Sequence, residues 1–173
     1  MYNIFLTGEK NVGKSTIVEK ILQSLSSSIG GYSTEFIMKN NLKHFYLTSL
    51  SHKGNKTLMA IGDHSIKKII KIYEYAFNVF GAGLILDSIH TKDVIILDEI
   101  GFIENDCDEF KASVIKALDS KKIIIGVLKN YNGEFINYIK DRKDVILFNI
   151  NEENREEIPK IIIDMIRNKQ CII

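Results

Sequence analysis

The run Gly8-Glu9-Lys10-Asn11-Val12-Gly13-Lys14-Ser15-Thr16 constrains this chain more than any other stretch. It follows an apolar segment, Tyr2 to Thr7, that reads as a strand, and precedes a helical pattern in Ile17, Val18, Ile21, Leu22 and Leu25. Glycine, four residues, then Gly-Lys-Ser between a strand and a helix is the spacing of a phosphate-binding loop, the Walker A motif. Main-chain N–H groups can wrap a polyphosphate only where the chain bends tightly and no Cβ intrudes, which accounts for Gly8 and Gly13. The following helix aims its free N–H groups and the positive end of its dipole at the same anion. On this reading Lys14 supplies a point charge near the terminal phosphates, Ser15 Oγ a ligand for Mg²⁺, and Thr16 a hydroxyl for a phosphate oxygen.

A second stretch carries complementary chemistry. In Asp93-Val94-Ile95-Ile96-Leu97-Asp98-Glu99, four consecutive apolar residues predict a strand buried on both faces, as in a parallel sheet. Asp98 and Glu99 fall at its carboxyl end, where ligands bind in open α/β sheets. Downstream of a Walker A this reads as a Walker B: Asp98 holds Mg²⁺, and Glu99 orients or deprotonates an attacking water.

Length and composition set the frame. At 173 residues the chain predicts one domain with a real core. Its net charge of +1 gives no global argument for nucleic acid or membrane, so any anion binding is local. The longest uncharged apolar stretch, Tyr75 to Leu86, is too short to span a bilayer, and the beginning of the chain lacks the pattern of a secretory signal, so a cytoplasmic location is expected. Cys107 and Cys171 form no disulfide framework, and Cys107 reads as an incidental thiol. Against 20 lysines there are only three arginines, Arg142, Arg155 and Arg167, so a bidentate or transition-state arginine comes from these or from another molecule.

Between the two motifs, Ser24 to Gly31 reads as a polar, glycine-ended break. Tyr32–Met38 and Leu42–Leu50 read as a hairpin turning at Asn40-Asn41, with Thr57–Ile61 as a third strand. Ser65 to His90 reads as two helical pieces broken at Gly81-Ala82-Gly83. Beyond Glu99 the pattern predicts a loop to Asp106, a helix over 108–118, and a strand over 122–127. It then predicts a helix over 134–140, a strand over 144–149, and a final helix with Pro159 in its first turn. Lys129, just past a buried strand, either senses a γ-phosphate or is a solvated surface lysine.

Gly8 to Thr16, Gly31-Tyr32-Ser33-Thr34-Glu35, Asp98-Glu99-Ile100-Gly101-Phe102-Ile103-Glu104 and Asn154-Arg155, in this order, resemble the cancer-related nucleoside-triphosphatase family. The most distinctive part is Asp-Glu-Ile-Gly with a Glu three residues on. The resemblance implies an α/β fold: a three-layer P-loop NTPase fold with a mainly parallel, RecA-like sheet and an antiparallel β-hairpin insert at about 32–61 of a single 1–173 domain. It also implies slow Mg²⁺-dependent hydrolysis of ATP, GTP, CTP and UTP with little base preference. Carried over by position, Gly8, Glu9, Lys10, Asn11, Val12, Gly13, Lys14, Ser15 and Thr16 form the phosphate cradle. Asp98 is then the Walker B acid, Glu99 the catalytic glutamate and Glu104 a further acid near the site. Arg155 lies near the nucleotide, against the base, or alternatively pairs with Glu152 or Glu156. Glu9-Lys10-Asn11 stands where the family commonly has proline and glycine, and Met38 where it often has a basic residue. These departures bear on substrate preference and rate.

Three readings follow. The leading one is an Mg²⁺-dependent hydrolase, slow on its own because no arginine finger is evident in the chain, with a protein partner able to supply one. The second is a kinase for a nucleoside, nucleotide or polynucleotide 5′ end, although such enzymes usually bring an arginine-rich lid and here only Arg142 precedes the last strand. The third is a nucleotide-dependent switch read by a partner. A nucleic-acid module has the least support, lacking both basic charge and an aromatic-basic repeat.

Overall fold

The computed structural model describes residues 3–170. Tyr2 and Cys171 lie outside these residues. The elements run β1 (Asn3–Gly8), α1 (Lys14–Gln23), β2 (Ile29–Lys39), β3 (Leu42–Ser49), β4 (Lys56–Asp63) and β5 (Lys68–Ile72). A π-helical segment, Ala76–Gly81, then runs into α2 (Ala82–Thr91). The rest is β6 (Val94–Ile100), α3 (Asp108–Leu118), β7 (Ile123–Leu128), α4 (Glu134–Lys140), β8 (Val145–Ile150) and α5 (Ile158–Gln170).

One eight-stranded sheet connects all strands in the order β5-β4-β3-β2-β6-β7-β1-β8. The ladders among β2, β6, β7, β1 and β8 are parallel, and those joining β2 through β5 are antiparallel. β7 separates the two motif-bearing strands, β1 and β6, which is the RecA-like arrangement.

Side chains alternate between faces along these strands and so build two cores. Phe5, Tyr32, Leu47, Ile95 and Leu97 meet Phe77, Ile85, Phe110, Val114, Ile136 and Ile139 from the π-helical segment, α2, α3 and α4. Ile4, Leu6, Val94, Ile96, Ile125 and Val127 meet Ile17, Val18 and Ile21 of α1 and Ile158, Ile162 and Ile166 of α5. The result is three layers.

Asn40 and Asn41 both have positive φ, 47° and 63°, and join Lys39 to Leu42, which are directly paired. That is the two-residue turn expected of this sequence, because asparagine tolerates the left-handed region and its twist matches the strands.

The antiparallel region is larger than the expected hairpin insert. β2 begins at Ile29 and pairs in parallel with β6, so it belongs to the central sheet, and the region continues through β5. Residues 68–72 therefore form a strand where the spacing of Ile66, Ile69, Ile70 and Tyr73 predicts a helix. These β-branched residues fit a pleated surface, and the open edge of β4 supplies hydrogen bonds that no local period reveals. Ile69 packs toward the core while Lys68 and Lys71 stand exposed on the edge strand, where lysines discourage further pairing. The chain also does not break at Gly81. A Cβ at residue 81 would lie 3.1 Å from the Phe110 ring, so that glycine serves close packing of helices. Gly30 and Gly31, expected to close the polar break after the first helix, lie inside β2.

Candidate active site

The Walker A stretch bends between β1 and α1, with Gly8 at φ 137°, Asn11 at 64° and Gly13 at 107°. At Gly8 any Cβ would strike the Ile150 carbonyl of neighbouring β8, so only glycine fits. Val12 anchors the loop in the second core, while Glu9, Lys10 and Asn11 are exposed. Asn130, just beyond β7, donates to the Glu9 carboxylate at 3.2 Å. The Lys14 ammonium donates to the carbonyl oxygens of Gly8 (3.0 Å) and Glu9 (2.7 Å). Burial lowers its pKa, opposed by the charges of Glu99, Asp98 and Glu9. Ser15 and Thr16 lie exposed in the first turn of α1.

β6 brings two carboxylates to this edge of the sheet. Asp98 is buried, and its pKa is raised to about 6, first by desolvation and then by Glu99; a hydrogen bond from Ser15 and the charge of Lys14 pull the other way. Glu99 sits at a register shift, with Asp98 opposite Val127 and Ile100 opposite Leu128. It is thus the extra residue of a bulge, a device that re-aims a side chain at the end of a ladder. Its Oε1 lies 2.8 Å from the Lys129 ammonium. Lys129 is therefore not a free surface lysine.

Glu104 is 3% exposed and its Oε2 accepts the Gly101 amide at 2.9 Å. Burial raises its pKa. The hydroxyl of fully buried Tyr32 has no hydrogen-bond partner among the described residues. Its pKa is raised well above the usual value, first by burial and then by the charges of Glu104, Asp98 and Glu99.

Arg155 lies beyond β8 with its Cδ 4.0 Å from the Cβ position of Gly13, and with Gly13, Thr16, Ile17, Lys20 and Glu156 it lines a hollow beside the loop. Neither anticipated ion pair forms among the described residues: Glu156 pairs instead with Lys20 at 2.7 Å. Arg142 is held by Asp144 and Asp119, each at 2.7 Å, at the end of β8 remote from the phosphate loop. Asn130 beside Glu9 carries no sequence signal, because the contact depends on which strand ends are neighbours.

The donor chemistry fits Mg²⁺. Asp98 is a carboxylate made costly to ionise first by burial and then by a second acid, and the Ser15 hydroxyl bonded to it is another hard oxygen. Among the described residues no three His, Cys, Asp or Glu converge into a protein cage. Mg²⁺ generally uses one or two protein oxygens, with substrate phosphates and water completing its shell.

Comparison with known proteins gives a consistent result. A family model described as NTPase matches residues 3–163. The chain is 30% identical over 169 residues to the nucleoside-triphosphatase THEP1 of Thermotoga petrophila, covering 95% of this chain and 92% of that one. It is 26% identical over 186 residues to the human cancer-related nucleoside-triphosphatase, covering 97% and 98%. The crystal structure of THEP1 from Aquifex aeolicus superposes with a TM-score of 0.78 at 22% identity, over 94% of this chain and 98% of that one. The solution structure of a human cancer-related nucleoside triphosphatase gives 0.75 at 23%, over 97% and 98%. These two structures share the fold. Among the described residues no helix is long and apolar enough to cross a membrane.

Proposed function

The chain belongs to the NTPase family, and from that premise we propose that it is a Mg²⁺-dependent hydrolase of broad base preference, converting nucleoside triphosphates to the diphosphate and phosphate. Its relatives bear the name nucleoside-triphosphatase, and the activity class follows from them. The observation that carries the finer reading is the meeting of Lys14, the Ser15–Asp98 pair and Glu99 at one edge of the sheet.

In this reading the amides from Gly8 to Thr16 and the N-terminus of α1 hold the β- and γ-phosphates. Lys14 exchanges the carbonyls of Gly8 and Glu9 for phosphate oxygens. Ser15 and Asp98 would hold Mg²⁺, which when bound would neutralise charge developing on the phosphoryl oxygens. Glu99 aligns a water with the γ-phosphorus and takes its proton while the bond to the β-phosphate oxygen breaks. Thr16 binds a phosphate oxygen and Arg155 lies against the base. Residues 1–173 act as one unit in a cytoplasmic setting.

Arg142 is committed to Asp119 and Asp144 away from the phosphate loop, so it is no lid over the phosphates. That favours a slow hydrolase over a kinase, with any arginine finger coming from a partner. The test is phosphate release from ATP, GTP, CTP and UTP without an acceptor, with Mg²⁺ and with EDTA. Comparable slow turnover of all four that EDTA abolishes supports the reading. A single preferred base, or turnover that appears only with a phosphoryl acceptor, contradicts it.

A further inference from the structure

Glu104, Gly101, Lys129 and Glu99 form one connected set, of which only Glu99 takes part in the proposed chemistry. Glu104 is buried beneath the loop and already bonded to the Gly101 amide, so it is not placed to meet a nucleotide. Gly101 in turn seats the aliphatic part of Lys129: a methyl at residue 101 would lie 2.6 Å from Lys129 Cδ. The Lys129 amide donates to the Ile100 carbonyl at 2.9 Å, which ties the two segments together beside that seat. The Lys129 ammonium lies 5.3 Å from the centre of the Phe102 ring and 2.8 Å from Glu99 Oε1. Phe102 leans on Tyr131, ring centres 5.9 Å apart.

We propose that Glu104, Gly101 and Lys129 form a brace that positions the Glu99 carboxylate for reaction, Lys129 touching it and Glu104 acting through the Gly101 loop. The proposal rests on the hydrolase reading. A glutamate at a bulge has several rotors free, and a base misplaced by an ångström loses much of its rate. The ion pair, only 34% and 28% exposed at its two ends, selects one placement.

The test compares kcat and KM across variants. Lys129→Met is expected to lower kcat about 10- to 100-fold, the scale of a misplaced reacting group, with affinity for a non-hydrolysable triphosphate within about threefold. Lys129→Arg restores most of the loss. Gly101→Ala, which crowds Lys129, reproduces it and costs nothing more in a Lys129→Met background. Glu104→Ala lowers kcat in the same way, whereas Glu104→Gln, which keeps an acceptor for the Gly101 amide, restores it. Unchanged kcat in Lys129→Met overturns the brace. So does weaker triphosphate-analogue binding with diphosphate binding intact, which makes Lys129 a γ-phosphate ligand, and so does additivity with Gly101→Ala.

A readout independent of turnover is the ¹H–¹⁵N spectrum of lysine ammonium groups. The brace predicts a Lys129 resonance protected from exchange and displaced by Glu99→Gln and by Gly101→Ala; indifference to both overturns it. If the resonance behaves so but the unmodified protein releases no phosphate, the hydrolase reading falls and the brace geometry stands.

Discussion

The Lys14 ammonium lies 2.7 Å from the carbonyl oxygen of Glu9, five residues back along the same loop, so the lysine folds back onto its own loop. Burial lowers its pKa, and three surrounding carboxylates oppose the shift. Lys14→Ala is expected to weaken triphosphate binding roughly 10²- to 10³-fold, the scale of losing one preorganised charge contact. Titration with a fluorescent nucleotide measures this; affinity within threefold of the unmodified protein contradicts it.

Asp98 is expected to make the stability of the protein pH-dependent. Its carboxyl is raised from the ordinary 3.8 to about 6, so the folded state binds a proton more tightly than the unfolded chain. That contribution to stability is present below about pH 4 and is lost as pH rises through about 6. Asp98→Asn cannot ionise, and is expected to exceed the unmodified protein by up to about 3 kcal/mol at pH 7.5 and by nothing at pH 4. Urea unfolding without nucleotide or divalent ions checks this. An Asn variant less stable at pH 7.5 would show the carboxylate to be net stabilising.

Cys107 is 1% exposed, and burial pushes its thiol up to about 11. With so little thiolate and no access, it is expected to be inert. In a Cys171→Ser background, a disulfide reagent at pH 8 should react with Cys107 on unfolding and only over hours in the folded protein. Reaction within seconds under native conditions contradicts the packing of α3.

Arg155 beside Gly13 is expected to contribute binding alone. Arg155→Ala should raise KM about three- to tenfold for all four triphosphates, a loss of about 1 kcal/mol, and leave kcat within twofold. A selective effect on one base would make Arg155 a specificity residue, and a fall in kcat alone would place it at the reacting phosphate.

What could be read from the sequence was what local chemistry dictates. The tight bend between β1 and α1 was legible because Gly8 and Gly13 are required by the backbone path itself. The Asn40-Asn41 turn was legible because few residues accept positive φ, and β6 because a strand buried on both faces must be continuously apolar. The strand at 68–72 was not, since isoleucines spaced for a helix also suit an edge strand, and the edge of β4 decides between them. Gly31 was misread as a break: it has φ 87°, and a Cβ there would strike the Ile96 backbone of β6, a neighbour the sequence does not announce. Walker A and Walker B could each be found, but their meeting required β7 between β1 and β6. The Lys129–Glu99 pair depends on the same adjacency and on a bulge, so no spacing could have given it.

The most direct measurement is single-turnover hydrolysis by Glu99→Gln beside the unmodified protein, with Mg²⁺–triphosphate binding measured on both. The expected result is affinity within about threefold and a hydrolysis rate lowered about 10²- to 10⁴-fold, the range for removal of a general base. Hydrolysis at the unmodified rate by Glu99→Gln would remove Glu99 from the chemistry, and with it the reading of this site.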